Sequence, residues 1–269
     1  MKLDDIRNAY ISEGCSYIEA NSRTSQDVIL ALLAKSSFTE NVTIKGGVVL
    51  QHISGDSRRA TQDFDFDFIR YSLSGESIDE FIKKLSESSD DVDISITAPI
   101  EELKHQDYNG KRIYIRLTDN DGTSIDTKLD IGVHKDITME QDLYCFDLSK
   151  LDDSVNLLVN TKEQMFAEKL KSLLRLGNVS TRYKDVFDMF WLTEEGNLDK
   201  SQMVEKLKTI ILDDTTMREV NIDDIVSRLE RIFSDSHFMS SLGRSTRHNW
   251  IQIEPSQATG ALVDYFRKF

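Results

Sequence analysis

The chain has 269 residues and a formal net charge of −14, with 39% hydrophobic and 30% charged residues. That length suits one large or two modest domains, and the mixture is too apolar for a disordered chain. The charge excludes a broad basic footprint for non-specific nucleic-acid binding, while leaving room for an RNA gripped by a local basic patch.

No apolar run approaches the roughly 20 residues a membrane helix needs, so no membrane association is expected. The opening Met1-Lys2-Leu3-Asp4-Asp5 lacks the apolar core of a signal peptide. The cytoplasm is the expected compartment. Cys15 and Cys145 lie far apart without a C-x-x-C, which predicts neither a disulfide framework nor a zinc knuckle. His52 and His134 show no ligand spacing.

In chain order, Ile6, Tyr10, Ile11, Tyr17 and Ile18 predict helix over 3–20, with Gly14 as its weak point. The polar run from Asn21 to Ser25 reads as the cap of a second helix carrying Val28, Ile29, Leu32 and Leu33. That helix should pack beneath a short strand, Val42 to Ile44, which meets Gly46-Gly47. Val48 to Ile53 reads as one or two helical turns. Then Asp63, Asp65 and Asp67 alternate with Phe64, Phe66 and Phe68, the period of a strand. An amphipathic helix from Ser77 to Ser86 follows. Strands are predicted from Val92, from Arg112 to Leu117 and from Ser124 to Val133, the last two joined by the turn Asp119-Asn120-Asp121-Gly122. In the third strand Asp126, Lys128 and Asp130 share a face, while Ile125, Leu129 and Ile131 do not promise a clean alternation.

From about residue 160 the pattern is helical to the end. Thr161 is the predicted N-cap of a helix striped by Met165, Phe166, Leu170, Leu173 and Leu174. A second helix runs from Arg182 to Leu192, and others cover about 199–211, 221–234 and 256–267, with Pro255 the interruption. The expected fold is α+β: a small mixed-sheet domain with flanking helices over 1–160, followed by a helical bundle over 161–269.

The Asp63–Phe68 strand sets three carboxylates on one face and three rings on the other, the carboxylates about 6.5–7 Å apart. Like charges so placed call for a cation. A divalent metal on Asp63 and Asp65 would supply it, with Gly46-Gly47 letting backbone approach a phosphate. The plain alternative is a solvated acidic face on a one-sided sheet. A metal pair often draws a third carboxylate from a neighbouring strand, and Asp130 in Lys128-Leu129-Asp130 is the best placed. Lys169 falls at the edge of the apolar stripe, where a lysine can also lay its stem on the core and snorkel outward. Asp185 and Asp188 share a polar face with Lys184, which an ordinary Lys184–Asp188 pair would also explain.

Lys45-Gly46-Gly47, a following leucine, and Arg59-x-Thr61-x-Asp63-Phe64-Asp65-Phe66-Asp67 together resemble the signature of polymerase-beta-like nucleotidyltransferases, and more narrowly the AbiEii/AbiGii toxin family. The resemblance continues through Lys128-Leu129-Asp130, Ala167-Glu168-Lys169-Leu170 and Arg182-Tyr183-Lys184-Asp185-Val186-Phe187-Asp188, and so spans about residues 42–192. Val48 stands where the family usually carries Ser or Thr. The resemblance implies Mg²⁺ or Mn²⁺ on Asp63 and Asp65 with Asp130 assisting, and phosphate contacts from Gly46, Gly47, Arg59, Thr61, Lys128 and Lys169. It further implies a site completed by Arg182, Asp185 and Asp188, facing Asp63 across the boundary between the halves. The implied reaction moves NMP from an NTP to an RNA acceptor, with a tRNA 3′ end the leading case. The implied setting is a toxin with a cognate antitoxin. Two rivals are a transferase acting on an aminoglycoside-like small molecule, which the acidic charge favours, and a catalytically silent nucleotide- or partner-binding module. Intact Asp63, Asp65 and Lys169 speak against the silent module.

Overall fold

A computed structural model describes residues 1–103, 110–133 and 140–269, so His134 falls outside the described residues. The chain divides into two compact units, Met1–Asn160 and Thr161–Phe269.

In the first unit Gly14, at φ +94°, breaks the expected single N-terminal helix in two. Helix α1 is Leu3–Ser12 and α2 is Tyr17–Lys35. The cap of α2 is Ser16, in a reciprocal box with Glu19. The run from Asn21 to Ser25, expected to be that cap, lies inside the helix, with Thr24 and Ser25 buried. Tyr17 and Ile18, expected in a core stripe, are exposed because they begin α2 rather than continue α1.

Strand β1 (Val42–Lys45) runs directly into α3 (Gly46–Ser54). There follow β2 (Phe64–Phe68), α4 (Gly75–Ser86), β3 (Val92–Ile96), β4 (Glu101–Leu103), β5 (Gly110–Asp119), β6 (Ser124–Val133), β7 (Gln141–Leu148) and β8 (Asp153–Asn160). They form one eight-stranded mixed sheet in the order β3-β5-β6-β2-β1-β8-β7, with β4 also on β5. The pairs β1–β8 and β2–β6 are parallel and the others antiparallel. The β7–β8 hairpin makes the sheet larger than the sequence suggested. Only Phe146 and Leu148 of β7 are buried, and Leu143 is exposed, so period-two patterning there is faint.

Phe64, Phe66 and Phe68 are all buried and pack edge-on or tilted in an aromatic cluster with Phe81 of α4. Each such ring contributes about 1.5–3 kcal/mol by its burial, which pins the register of β2 and so the direction of its aspartates. On β6, Ile125, Leu129 and Ile131 are buried on one face, and Asp130 and Gly132 between and beyond them are buried too, so burial does not alternate cleanly, as expected.

The second unit is helical. It contains α5 (Lys162–Leu176), α6 (Tyr183–Glu194), α7 (Lys200–Leu207), α8 (Ile222–Phe233), α9 (Ser236–Arg244) and α10 (Pro255–Phe266). Thr161 caps α5 by accepting from the Gln164 amide, as its position predicts. Helix α7 passes into a π-helical turn, Lys208–Leu212. Helix α9, capped by Asp235, was not anticipated. Pro255 opens α10 in its first turn, where a missing N–H costs nothing.

Candidate active site

The register of four strands lays out the candidate residues of the sheet. Asp65 of β2 stands level with Lys45 of β1 on one side and Asp130 of β6 on the other, and Asp130 is level with Arg112 of β5. One step along, Lys128 of β6 is level with Tyr114 of β5. Its ammonium reaches Asp63 at 2.7 Å. Asp63 and Lys128 are the accessible pair, their side chains 49% and 33% exposed.

The glycine pair is required by what lies against it. Gly46 has φ +67°, and a Cβ there would come within 3.0 Å of Asp65 Oδ2. A Cβ on Gly47 would lie 2.4 Å from Thr61 Oγ1. The two glycines therefore let the Asp65 carboxylate and the Thr61 side chain press against the first turn of α3. Thr61 is also held by its backbone, donating to Gln51 Oε1 at 3.3 Å and accepting from Gln26 Nε2 at 3.0 Å.

The acidic face carries its own cations. Lys45 Nζ lies 2.6 Å from Asp67 Oδ1, and both residues are buried. Arg112 clasps Asp130 in a two-point bridge, Nε to Oδ1 and Nη2 to Oδ2, each 2.7 Å. The solvated-face alternative fits Asp63 and fails for Asp67.

In the helical unit, Lys169 does not snorkel. It is buried, with its ammonium 2.6 Å from Asp185 Oδ1 and 2.9 Å from Asp188 Oδ2. Arg182 Nε reaches Asp185 Oδ2 at 2.5 Å, and Trp250 Nε1 donates to Asp188 Oδ1 at 3.0 Å. Burial pushes the Asp185 carboxyl up, but Lys169 and Arg182 outweigh that and hold it below the usual carboxylate range. This places four of the expected residues, Lys169, Arg182, Asp185 and Asp188, in one ionic cluster.

A family model described as "Nucleotidyl transferase AbiEii toxin, Type IV TA system" matches residues 28–249, well over half of the chain. The chain belongs to this AbiEii toxin family. It is a nucleotidyltransferase of a toxin–antitoxin family, as the ordered motifs implied, and that family is of type IV. Among solved structures it is similar to an antigenic nucleotidyltransferase-like protein from Paracoccidioides brasiliensis. The identity is 13%, over 88% of this chain and 94% of that one, and the TM-score is 0.36. No curated protein matches it.

Among the described residues of this AbiEii chain, no three of His, Cys, Asp or Glu gather to hold a metal by themselves. Mg²⁺ commonly takes one or two carboxylates and fills its sphere from water and substrate phosphates. Asp63 and Asp65, hard oxygen donors on one strand face, fit that pattern. Asp130 is beside Asp65 as a third ligand should be, yet both its oxygens are engaged by Arg112. Arg59, expected to face a triphosphate, is 2% exposed, whereas the preceding residue, Arg58, is exposed and paired with Asp56. Val48 is a core residue.

Sequence reasoning gave no role to Lys45, Arg112 or Trp250. Lys45 was legible as the lysine that ends a buried strand, and Arg112 as part of the even-numbered polar face of β5. Trp250 had no local signal, because its partner is 62 residues away. No helix among the described residues is long and apolar enough to cross a membrane.

Proposed function

We propose that this AbiEii-family nucleotidyltransferase uses Asp63 and Asp65 to hold Mg²⁺ with an NTP and transfers the NMP to an RNA 3′ end, a tRNA in the leading case. The observation that carries the reading is the seating of Asp65 against the glycine-opened first turn of α3, with Asp63 exposed beside it. The backbone amides at such a helix start favour phosphate next to a carboxylate pair suited to the metal. Bound there, the metal would neutralise charge on the triphosphate.

The chain's own residues do the positioning. Lys128, now the counter-charge of Asp63, is the cation freed for a phosphate once Asp63 takes another partner. Asp130 joins the metal set only if Arg112 releases it, and Arg112 is then a further phosphate cation. In the helical unit, Lys169 is held between Asp185 and Asp188. The acceptor hydroxyl forms its bond to the α-phosphorus in line, the bond to the β-phosphate oxygen breaks, and pyrophosphate departs. Catalysis of this kind rests on alignment and electrostatics.

A net charge of −14 favours a second reading, a cationic small-molecule acceptor. One assay separates them: purified protein, labelled NTPs and Mg²⁺, with total RNA or with aminoglycosides. Label on RNA 3′ ends, lost in Asp63→Asn and Asp65→Asn, is the expected result. Label on the aminoglycoside alone replaces the RNA reading, and label on neither removes both.

A further inference from the structure

On β5, Ile113, Ile115 and Leu117 are buried on one face, so Arg112, Tyr114 and Arg116 stand in a row on the other. The row adjoins the candidate site within the first unit. Tyr114 is level with Lys128, whose ammonium meets Asp63, and Arg112 carries the two-point bridge to Asp130. Tyr114 is half-buried, with its hydroxyl 3.3 Å from the exposed Glu101, and no aromatic ring among the described residues packs on it. Arg116 is 49% exposed, and Asp126 engages its Nε and Nη2, which leaves Nη1 to another acceptor.

The flank on which the row stands decides what it meets. Helix α3 begins at the end of β1, on the opposite side of Asp65 from β6 and β5. With the phosphates at that helix start, pyrophosphate leaves toward β1, and in-line displacement brings the attacking hydroxyl from the β6–β5 side. The nucleotide that carries this hydroxyl arrives over a half-buried tyrosine with an arginine two residues to either side. A tyrosine ring offers a π-face to any base, and a guanidinium grips phosphate by charge and by its fork of donors. Aromatic side chains on an open sheet face hold single-stranded RNA in this way.

We propose that Tyr114 is the stacking platform for the 3′-terminal base of the acceptor RNA, with Arg116 holding the adjoining backbone phosphate. This assignment rests on the RNA reading above. It reconciles an RNA ligand with a net charge of −14, because the contact is one stacked base and one local cation rather than a broad basic field. The Arg116–Asp126 pair is exposed and worth little in water, so exchanging Asp126 for a phosphate costs little.

The test uses the full chain and two short single-stranded RNAs, identical except that one ends in adenosine and the other in an abasic ribose. Binding is read by fluorescence anisotropy of a 5′ dye, without NTP and across a salt series, beside thermal unfolding of each protein. Wild type should prefer the adenosine-ended RNA by about tenfold, the scale of one base stacked on an aromatic ring. Tyr114→Leu should abolish that preference. Tyr114→Phe, which keeps the ring and loses only the Glu101 contact, should retain it. Arg116→Gln should weaken both RNAs alike and lower the slope of log Kd against log salt by about 0.7, the share of one single-strand phosphate.

No preference in the wild type, or the same preference in Tyr114→Leu, overturns the platform, and an unchanged salt slope overturns the role of Arg116. A second arm titrates each protein with Mg²⁺–ATP and with Mg²⁺–tripolyphosphate. A loss in Tyr114→Leu confined to ATP assigns the ring to the NTP base and overturns the acceptor assignment. If the wild type labels RNA yet ignores the terminal base, the function reading stands and the platform falls. If it shows the expected preference and transfers no label, the reading fails and the platform stands.

Discussion

Lys45 and Asp67 form a buried ion pair, 2.6 Å from Nζ to Oδ1, on the same sheet face that presents Asp63 and Asp65. The third aspartate of the alternating stretch is therefore matched by a lysine from the neighbouring strand, while Asp63 meets Lys128 and stays 49% exposed. Between Asp63 and Asp67 the structure separates a structural carboxylate from the candidate catalytic ones.

That separation is measurable. Asp67→Asn should destabilise the protein by about 2–4 kcal/mol, since it leaves a buried ammonium without its carboxylate. Asp63→Asn, at an exposed pair, should cost under about 1 kcal/mol and abolish transfer. Urea unfolding and the label assay on the two variants check both halves. Comparable stability losses would remove the distinction.

Gly47→Ala is expected to disable the site even though it adds one methyl. The new carbon would lie 2.4 Å from Thr61 Oγ1, so the segment leading to Asp63 must shift. A loss of Mg²⁺–NTP affinity of tenfold or more, with helical circular dichroism retained, is the expected outcome, since sites of this kind tolerate little misplacement. Wild-type affinity in this variant would show that the segment yields freely.

Removing Lys169 carries a structural cost that its sequence position did not suggest. Lys169→Ala leaves Asp185 and Asp188 buried without their shared cation, a change of about 3–5 kcal/mol. The pH dependence follows from Asp185, whose folded carboxyl sits below its unfolded value of about 3.9. Its stabilisation is present above that value and is lost as pH falls through the lower folded one. Wild-type stability should therefore drop more steeply below pH 4 than that of Asp185→Asn. Parallel curves would refute the assignment.

Asp27 predicts the opposite slope. It is buried, and burial raises its carboxyl to about 7, with the Tyr10 hydroxyl at 2.5 Å and Arg23 only partly opposing. A carboxyl raised on folding holds a proton that the unfolded chain has released, so this group's contribution declines as pH rises from about 4 to 7. Asp27→Asn should flatten that decline and stabilise the protein at pH 8 by about 1–4 kcal/mol. Chemical denaturation at pH 5 and pH 8 decides it. A variant less stable at pH 8 than the wild type contradicts it.

Membership of a toxin family leads to a cellular expectation. Expression of the intact chain without a partner should arrest bacterial growth, and Asp63→Ala should restore it. Continued growth together with new aminoglycoside resistance would instead support the small-molecule acceptor.

The sequence by itself determined the alternating strand, the two-part order of mixed sheet then helices, and the family. Those features depend on local periodicity and on motif residues close together in the chain. Asp63 to Phe68 alternate because one face must be buried, and Gly46-Gly47 stand where only glycine can pass. Tertiary structure alone decided the partners. Lys45 is 22 residues from Asp67, Lys128 is 65 from Asp63, and Trp250 is 62 from Asp188, and no local pattern records which strands pair or which buried carboxylate a donor meets. The β7–β8 hairpin was hidden for a related reason. The inward face of β7 is short, and strands placed by backbone pairing, β8 to β1 and β7 to β8, need not advertise themselves in their side chains.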